Sequence, residues 1–199
     1  MMKEEKVSVS SKFWLCSADC LCGTLSGLIT GGGMTYFYTK YLGLDEGLAS
    51  IVWMIFAVWN ALNDPLFGYI SDRTKSKLGR RIPYIRYGVL LYGVIFILSW
   101  FLWPLGGSQT ALFVQMLVSL FFFDTFYTAI ATSLYVLPYT MAESNQARSG
   151  IFVWKIFFTL LSLAAPLVLF PLVRPDVGES ASRFQTIMIM LGVVTTLVI

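Results

Sequence analysis

Along the 199 residues, apolar positions gather into six long runs and polar positions gather between them. The runs cover residues 13–39, 47–70, 83–103, 110–140, 150–173 and 184–199. A helix that crosses a bilayer needs about 20 predominantly apolar residues, so the runs predict transmembrane helices. The separators are short, and either polar or rich in glycine and proline: LGLDEG, SDRTKSKLGRR, PLGGSQ, MAESNQARS and RPDVGESASR. Connections this short predict antiparallel neighbours. Run 13–39 is too long for a cleavable signal, and no small-residue cleavage site closes it. Run 184–199 would rise only about 24 Å as a helix, against roughly 30 Å of hydrocarbon. It is read as a sixth helix cut short, in a piece of a longer protein. A natural half-size protein that dimerises is the alternative.

Composition changes the expected solvent. Apolar residues make up 57% of the chain and charged residues 13%, with a mean hydropathy of +0.73. A water-facing domain carries about 25% charged residues, so lipid is the expected surrounding. A net charge of +3 is too small to suggest nucleic acid. Its distribution sets orientation. With the N-terminus inside, eleven of the fourteen basic residues fall on the cytoplasmic side, and only Lys40, Arg174 and Arg183 fall outside. The expected fold is an all-α membrane protein with six transmembrane helices. Residues 1–12 form a cytoplasmic tail, residues 13–199 form the bundle, and the cell membrane holds it.

Carboxylates inside apolar runs are functional candidates, because each costs at least about 2.5–3.5 kcal/mol to insert. Asp19, Asp64 and Asp124 qualify. Asn60 and Asp64 are four apart and share a helix face. Pro65 removes a backbone donor and frees a carbonyl one turn earlier. This pattern offers hard oxygens to Na⁺ or a site for H⁺; local pairing that holds a proline kink explains it equally simply. Asp124 is followed by Tyr127, Thr128 and Thr132, a stretch able to supply hydroxyls to a substrate cavity. Asp19, two turns into the first helix, either lines that cavity or reaches the interface. Lys155 is read as snorkelling to the inner interface.

Other features have structural readings. Gly23, Gly27 and Gly31 form a small-residue stripe that lets another helix approach closely. Gly32 and Gly33 lower local stiffness. Trp14, Trp100, Trp103, Tyr84 and Tyr87 are read as an interfacial aromatic belt. Cys16, Cys20 and Cys22 match no zinc spacing and are read as small packing residues. Histidine is absent. No nucleophile–base pair and no metal set is recognisable, so neither enzymatic activity nor a cofactor is expected.

Residues 68–81 read GYISDRTKSKLGRR. They resemble the G-x-x-x-D-R-x(n)-G-R-R signature of the major facilitator superfamily. Gly68, Asp72, Arg73, Gly79, Arg80 and Arg81 occupy its fixed positions. Asp72 ends the second helix where charge pairs can form and break, and Arg80 and Arg81 meet anionic headgroups or acids such as Glu143. Residues 63–68, NDPLFG, and 38–44, YTKYLGL, narrow the resemblance to the glycoside–pentoside–hexuronide:cation symporters, the melibiose-carrier branch. That resemblance implies a twelve-helix carrier of two six-helix halves, with this chain as the N-terminal half. It implies sugar uptake coupled to Na⁺ or H⁺, with Asp64, Asn60 and Thr128 at the coupling site.

Two departures matter. Asn60 stands where the melibiose carrier has a second acid, which weakens the case for Na⁺. Ala131 stands where the family has its helix-4 sugar-binding aspartate, and Asp124, two turns earlier, is the nearest replacement. Asp124, Asp19, Tyr127 and Thr132 are therefore expected in the substrate cavity. The expected partners are a small solute such as a sugar, the lipid bilayer, and a second six-helix half or a second copy. The alternatives are a carrier of non-sugar cargo such as a lipid, and a non-transporting assembly or receptor subunit.

Overall fold

The computed structural model describes residues 7–103, 107–175 and 180–199. The two expected N-terminal cations Lys3 and Lys6, and parts of two expected outer loops, lie outside the described residues. The described chain is all helical: α1 (Val9–Thr30), α2 (Gly33–Tyr36), a π-helical turn (Phe37–Tyr41), α3 (Glu46–Arg73), α4 (Ile82–Leu98), α5 (Gln109–Met141), α6 (Asn145–Val173) and α7 (Ser182–Val198). Side-chain oxygens cap four of the starts: Ser8, Asp45, Ser108 and Ser144 each accept from a backbone N–H three residues on.

Four helices, α1, α3, α5 and α6, are long and apolar enough to cross a membrane. The apolar helices α4 and α7 have 17 residues each, about 26 Å of rise. The expected third span, 83–103, is shorter than its hydropathy suggested. Helix α4 ends at Leu98 and the chain turns at Ser99 and Trp100. The buried amide of Gln115 explains how that end is tolerated. It donates to the Phe101 carbonyl at 2.7 Å and to the Tyr38 hydroxyl at 2.9 Å, and accepts from the Trp103 N–H at 3.0 Å. Backbone groups freed by the early stop are thus paired, as an apolar surrounding requires.

The first span is corrected too. It is not one helix over 13–39. Helix α1 stops at Thr30, Gly32 takes a left-handed φ of 94°, and α2 and the π-turn follow. A side chain is strained at that φ, and a Cβ on Gly33 would lie 2.2 Å from the Leu28 carbonyl. Gly31 caps the helix by donating to the Gly27 carbonyl, and a Cβ added there would meet that same oxygen at 2.4 Å. Gly23 and Gly27 face α6. Their added Cβ atoms would meet Ser162 Oγ at 2.5 Å and Pro166 Cγ at 2.6 Å, so α1 lies close along α6. Helix α4 packs between α5 and α7, and α3 packs on α5.

One end of the bundle is held by aromatic rings. Phe37, Trp100 and Phe184 are fully buried, with centroids 5.2–5.6 Å apart. Each such pair contributes about 0.5–1.5 kcal/mol beyond area burial. Trp100 therefore belongs to the core and not to the expected interfacial belt, whereas Trp14 and Tyr87 are exposed. Helices α3 and α6 keep broad apolar faces uncovered, including Met54, Val58, Leu62, Leu160, Leu167 and Leu172.

Candidate functional site

Asn60, Asn63 and Asp64 lie at i, i+3 and i+4 on α3, so they share one face. Asp124 and Thr128 stand one turn apart on α5. The two helices run parallel, which brings the sets together at matching heights. Asn63 is the hub. Its Nδ2 donates to Asp124 Oδ2 at 2.9 Å and to Thr128 Oγ1 at 3.1 Å. Asn60 Nδ2 donates to the other Asp124 oxygen at 3.1 Å, and the Thr128 hydroxyl donates to Asp64 Oδ1 at 3.0 Å. Asn63, Asp124 and Thr128 are buried, whereas Asp64 and Asn60 are exposed on this chain. One turn earlier on both helices, Trp59 stacks on Phe121 with centroids 5.1 Å apart and closes the seam.

The cluster is rich in oxygen and short of donors. Asn63 Oδ1 is buried without a partner among the described residues, a costly state for a carbonyl away from water. Beside it lie the Asp124 carboxylate, the Thr128 oxygen and the Asp64 carboxylate. Such a set can receive a hard cation or a proton. Asn63 was absent from the expected site. Its only sequence signal was its place in the NDPLFG run, where it drew attention as part of a motif and not as a ligand.

The second polar region lies where α1, α5 and α6 meet. Asp19 pairs with Lys155, Oδ2 to Nζ, at 3.4 Å. Lys155 is turned inward over the Tyr135 ring, its nitrogen 5.3 Å from the centroid, and the facing carboxylate gives it a partner that the snorkelling reading did not include. A cavity of about 290 Å³ opens beside Asp19 and is lined also by Ser26, Tyr127, Ala131 and Thr159.

Of the four residues expected in the cavity, Asp19 and Tyr127 line it and the other two do not. Asp124 sits between Asn60 and Asn63, because α5 turns that face toward α3. Thr132 bonds back to the Thr128 carbonyl within α5, and its own carbonyl accepts from Arg81 at 3.4 Å. The expected coupling residues Asp64, Asn60 and Thr128 do come together.

In the loop after α3, Asp72 pairs with Arg81 at 3.1 Å. Arg73 folds onto Tyr69, its guanidinium 3.9 Å from the ring centroid. Gly79 takes a left-handed φ of 92°, so its place in the signature has a backbone cause. Arg80 is exposed with no partner among the described residues, and a Cβ at Gly68 would meet open space. The three cysteines are free and buried along α1, as packing residues should be.

Helices long and apolar enough to cross a membrane, with polar clusters on the seams between them, define an integral membrane protein. The family described as MFS/sugar transport protein matches residues 23–199. The chain belongs to that family, in its glycoside–pentoside–hexuronide:cation symporter-like branch. It is 26% identical over 141 residues to the putative glycoside/cation symporter YagG of Escherichia coli, covering 70% of this chain and 30% of that one. It is 25% identical over 194 residues to the uncharacterized symporter YnaJ of Bacillus subtilis, covering 96% and 41%. It is 28% identical over 170 residues to the sodium-dependent lysophosphatidylcholine symporter 1 of Mus musculus, covering 80% and 30%. The chain thus spans well under half the length of each of these relatives.

Proposed function

We propose that the chain is the N-terminal six-helix half of a cation-coupled symporter whose cargo is a sugar or glycoside. The observation that carries this reading is the Asn63-centred cluster, a buried oxygen set with an unpartnered carbonyl. Asp64 is its coupling acid, with Asn60 and Thr128 beside it, and the coupling ion is Na⁺ or H⁺. Asp124 belongs to this cluster as the group that orients both asparagines. Asp19, Lys155 and Tyr127 face the solute. The Asp72–Arg81 pair belongs to the cytoplasmic gate and exchanges partners as the two halves rock about a site near the bilayer midplane. The missing wall of that site comes from a second half or a second copy, in the cell membrane with the N-terminus inside.

A lipid cargo is the second reading. It is favoured by the similarity to a symporter named for sodium and lysophosphatidylcholine. Accumulation of labelled solutes by the full-length protein, with Na⁺ and pH varied separately, tests the coupling. Accumulation that follows one of the two ions is expected. Accumulation indifferent to both, or no uptake of any solute, would sink the symporter reading and favour an assembly subunit.

A further inference from the structure

Beyond the Asn63 cluster, a groove of about 410 Å³ opens between α3, α4 and α5, lined mainly by Phe67, Pro83, Tyr84, Tyr87, Leu91 and Phe126. Phe126 comes two residues after Asp124 and two before Thr128, so it lies on the opposite face of α5 from both. No charged side chain enters the lining. From Pro83 to Leu91 the wall rises about 12 Å along α4. One leaflet supplies about 15 Å of a bilayer's hydrocarbon, so the groove matches the depth of an acyl chain. Leu90, Val94 and Leu98 continue an exposed apolar face along α4, which packs on α5 and α7 with that face outward. In a bilayer such a face meets lipid.

Thr74 stands at the polar end of the groove. It donates to the Ile70 carbonyl at 2.9 Å, and the Tyr84 hydroxyl lies 2.5 Å from its oxygen, so this end is closed by its own bonds. Charge gathers just outside it. The loop from Thr74 to Pro83 joins two residues of the wall, and between them it carries Lys75, Lys77, Arg80 and Arg81 with no acid. Asp72 neutralises Arg81 at 3.1 Å. Lys75, Lys77 and Arg80 are exposed and have no ion-pair partner among the described residues. Unmatched cations directly beside a membrane helix attract anionic head groups. A zwitterionic head would leave their charge unbalanced, and a soluble anion would leave the apolar groove unfilled.

We propose that the α3–α4–α5 groove binds an anionic phospholipid of the phosphatidylglycerol type, drawn from the leaflet on the loop's side. One acyl chain lies against Tyr87, Leu91 and Phe126, and the phosphate sits among Lys75, Lys77 and Arg80. This rests on the chain being embedded in a membrane and is independent of any cargo or coupling ion.

The test uses the full-length protein, stripped of lipid in detergent. Dioleoyl phosphatidylglycerol and dioleoyl phosphatidylcholine share their chains and differ in head charge, and glycerophosphoglycerol supplies the head without chains. Native mass spectrometry counts bound lipid, and thermal unfolding follows the stabilisation it brings. Phosphatidylglycerol should bind with an apparent Kd at least about ten-fold below that of phosphatidylcholine, and glycerophosphoglycerol should not displace it. Lys75→Gln combined with Arg80→Gln should raise the phosphatidylglycerol Kd about ten-fold and leave that of phosphatidylcholine unchanged. Lys12→Gln removes a cation that lies by Gly150, away from the groove, and should change neither. Leu91→Trp fills the chain end, and Leu91 is 49% exposed, so the bundle's packing is left alone while both lipids bind more weakly. Equal Kd values for the two lipids, displacement by the head alone, or an effect of Lys12→Gln as large as that of the double variant would each overturn the proposal. So would an unaltered Kd in Leu91→Trp, or no bound lipid at all, the result expected if a second half or a second copy covers the groove.

Discussion

The α3–α5 seam and the α1–α6 seam pair parallel apolar helices, yet they handle their polar groups in opposite ways. On α3–α5, amides and a hydroxyl converge on two carboxylates. On α1–α6, one ion pair stands at the edge of an open trough. Glycine explains part of the difference. It lets α1 approach Ser162 and Pro166 while leaving nothing to fill the groove beside them. The first seam is closed by its own hydrogen bonds, and the second leaves a groove open.

The largest effect on this contrast should come from Asn63→Leu. It removes the donor shared by Asp124 and Thr128 from a buried site, and a loss of about 3 kcal/mol is expected in thermal or denaturant unfolding. If the closed seam were merely apolar packing, that leucine would be neutral. Gly27→Val should cost about 2 kcal/mol through overpacking against Pro166. A stability equal to wild type would mean that the two helices are free to slide apart. Lys155→Met should cost about 1 kcal/mol, less than a fully buried pair because both partners keep some exposure. Adding Asp19→Asn should restore part of that loss, which a double-mutant cycle measures. An unchanged single variant would place Lys155 in water.

The architecture was legible where physics acts locally. Apolar runs, short polar separators and capping residues are all readable along the chain, and α3, α5 and α6 follow from them. Spacing placed Asn60 and Asp64 on one face, and the family resemblance added Thr128. Less legible were features that depend on distant partners. Asp19 and Lys155 are far apart in sequence, so nothing near either one announces the pair. Asp124 is read as a cavity acid from its hydroxyl neighbours and from the alanine at 131, and neither says which face of α5 meets α3. The break at Gly32 was half visible: the glycine run signalled softness, but only the left-handed φ turns softness into an end. Helix α4 stops early because Gln115 can satisfy its loose end, a contact across two segments.

The central claim is that Asp64 ties movement of the solute to movement of a cation. The most direct measurement compares uphill accumulation with solute counterflow for Asp64→Asn in the full-length carrier. Accumulation should fall by at least about ten-fold, as expected when a coupling charge is lost, while counterflow, which needs no ion gradient, persists. Undiminished accumulation in that variant would contradict the account.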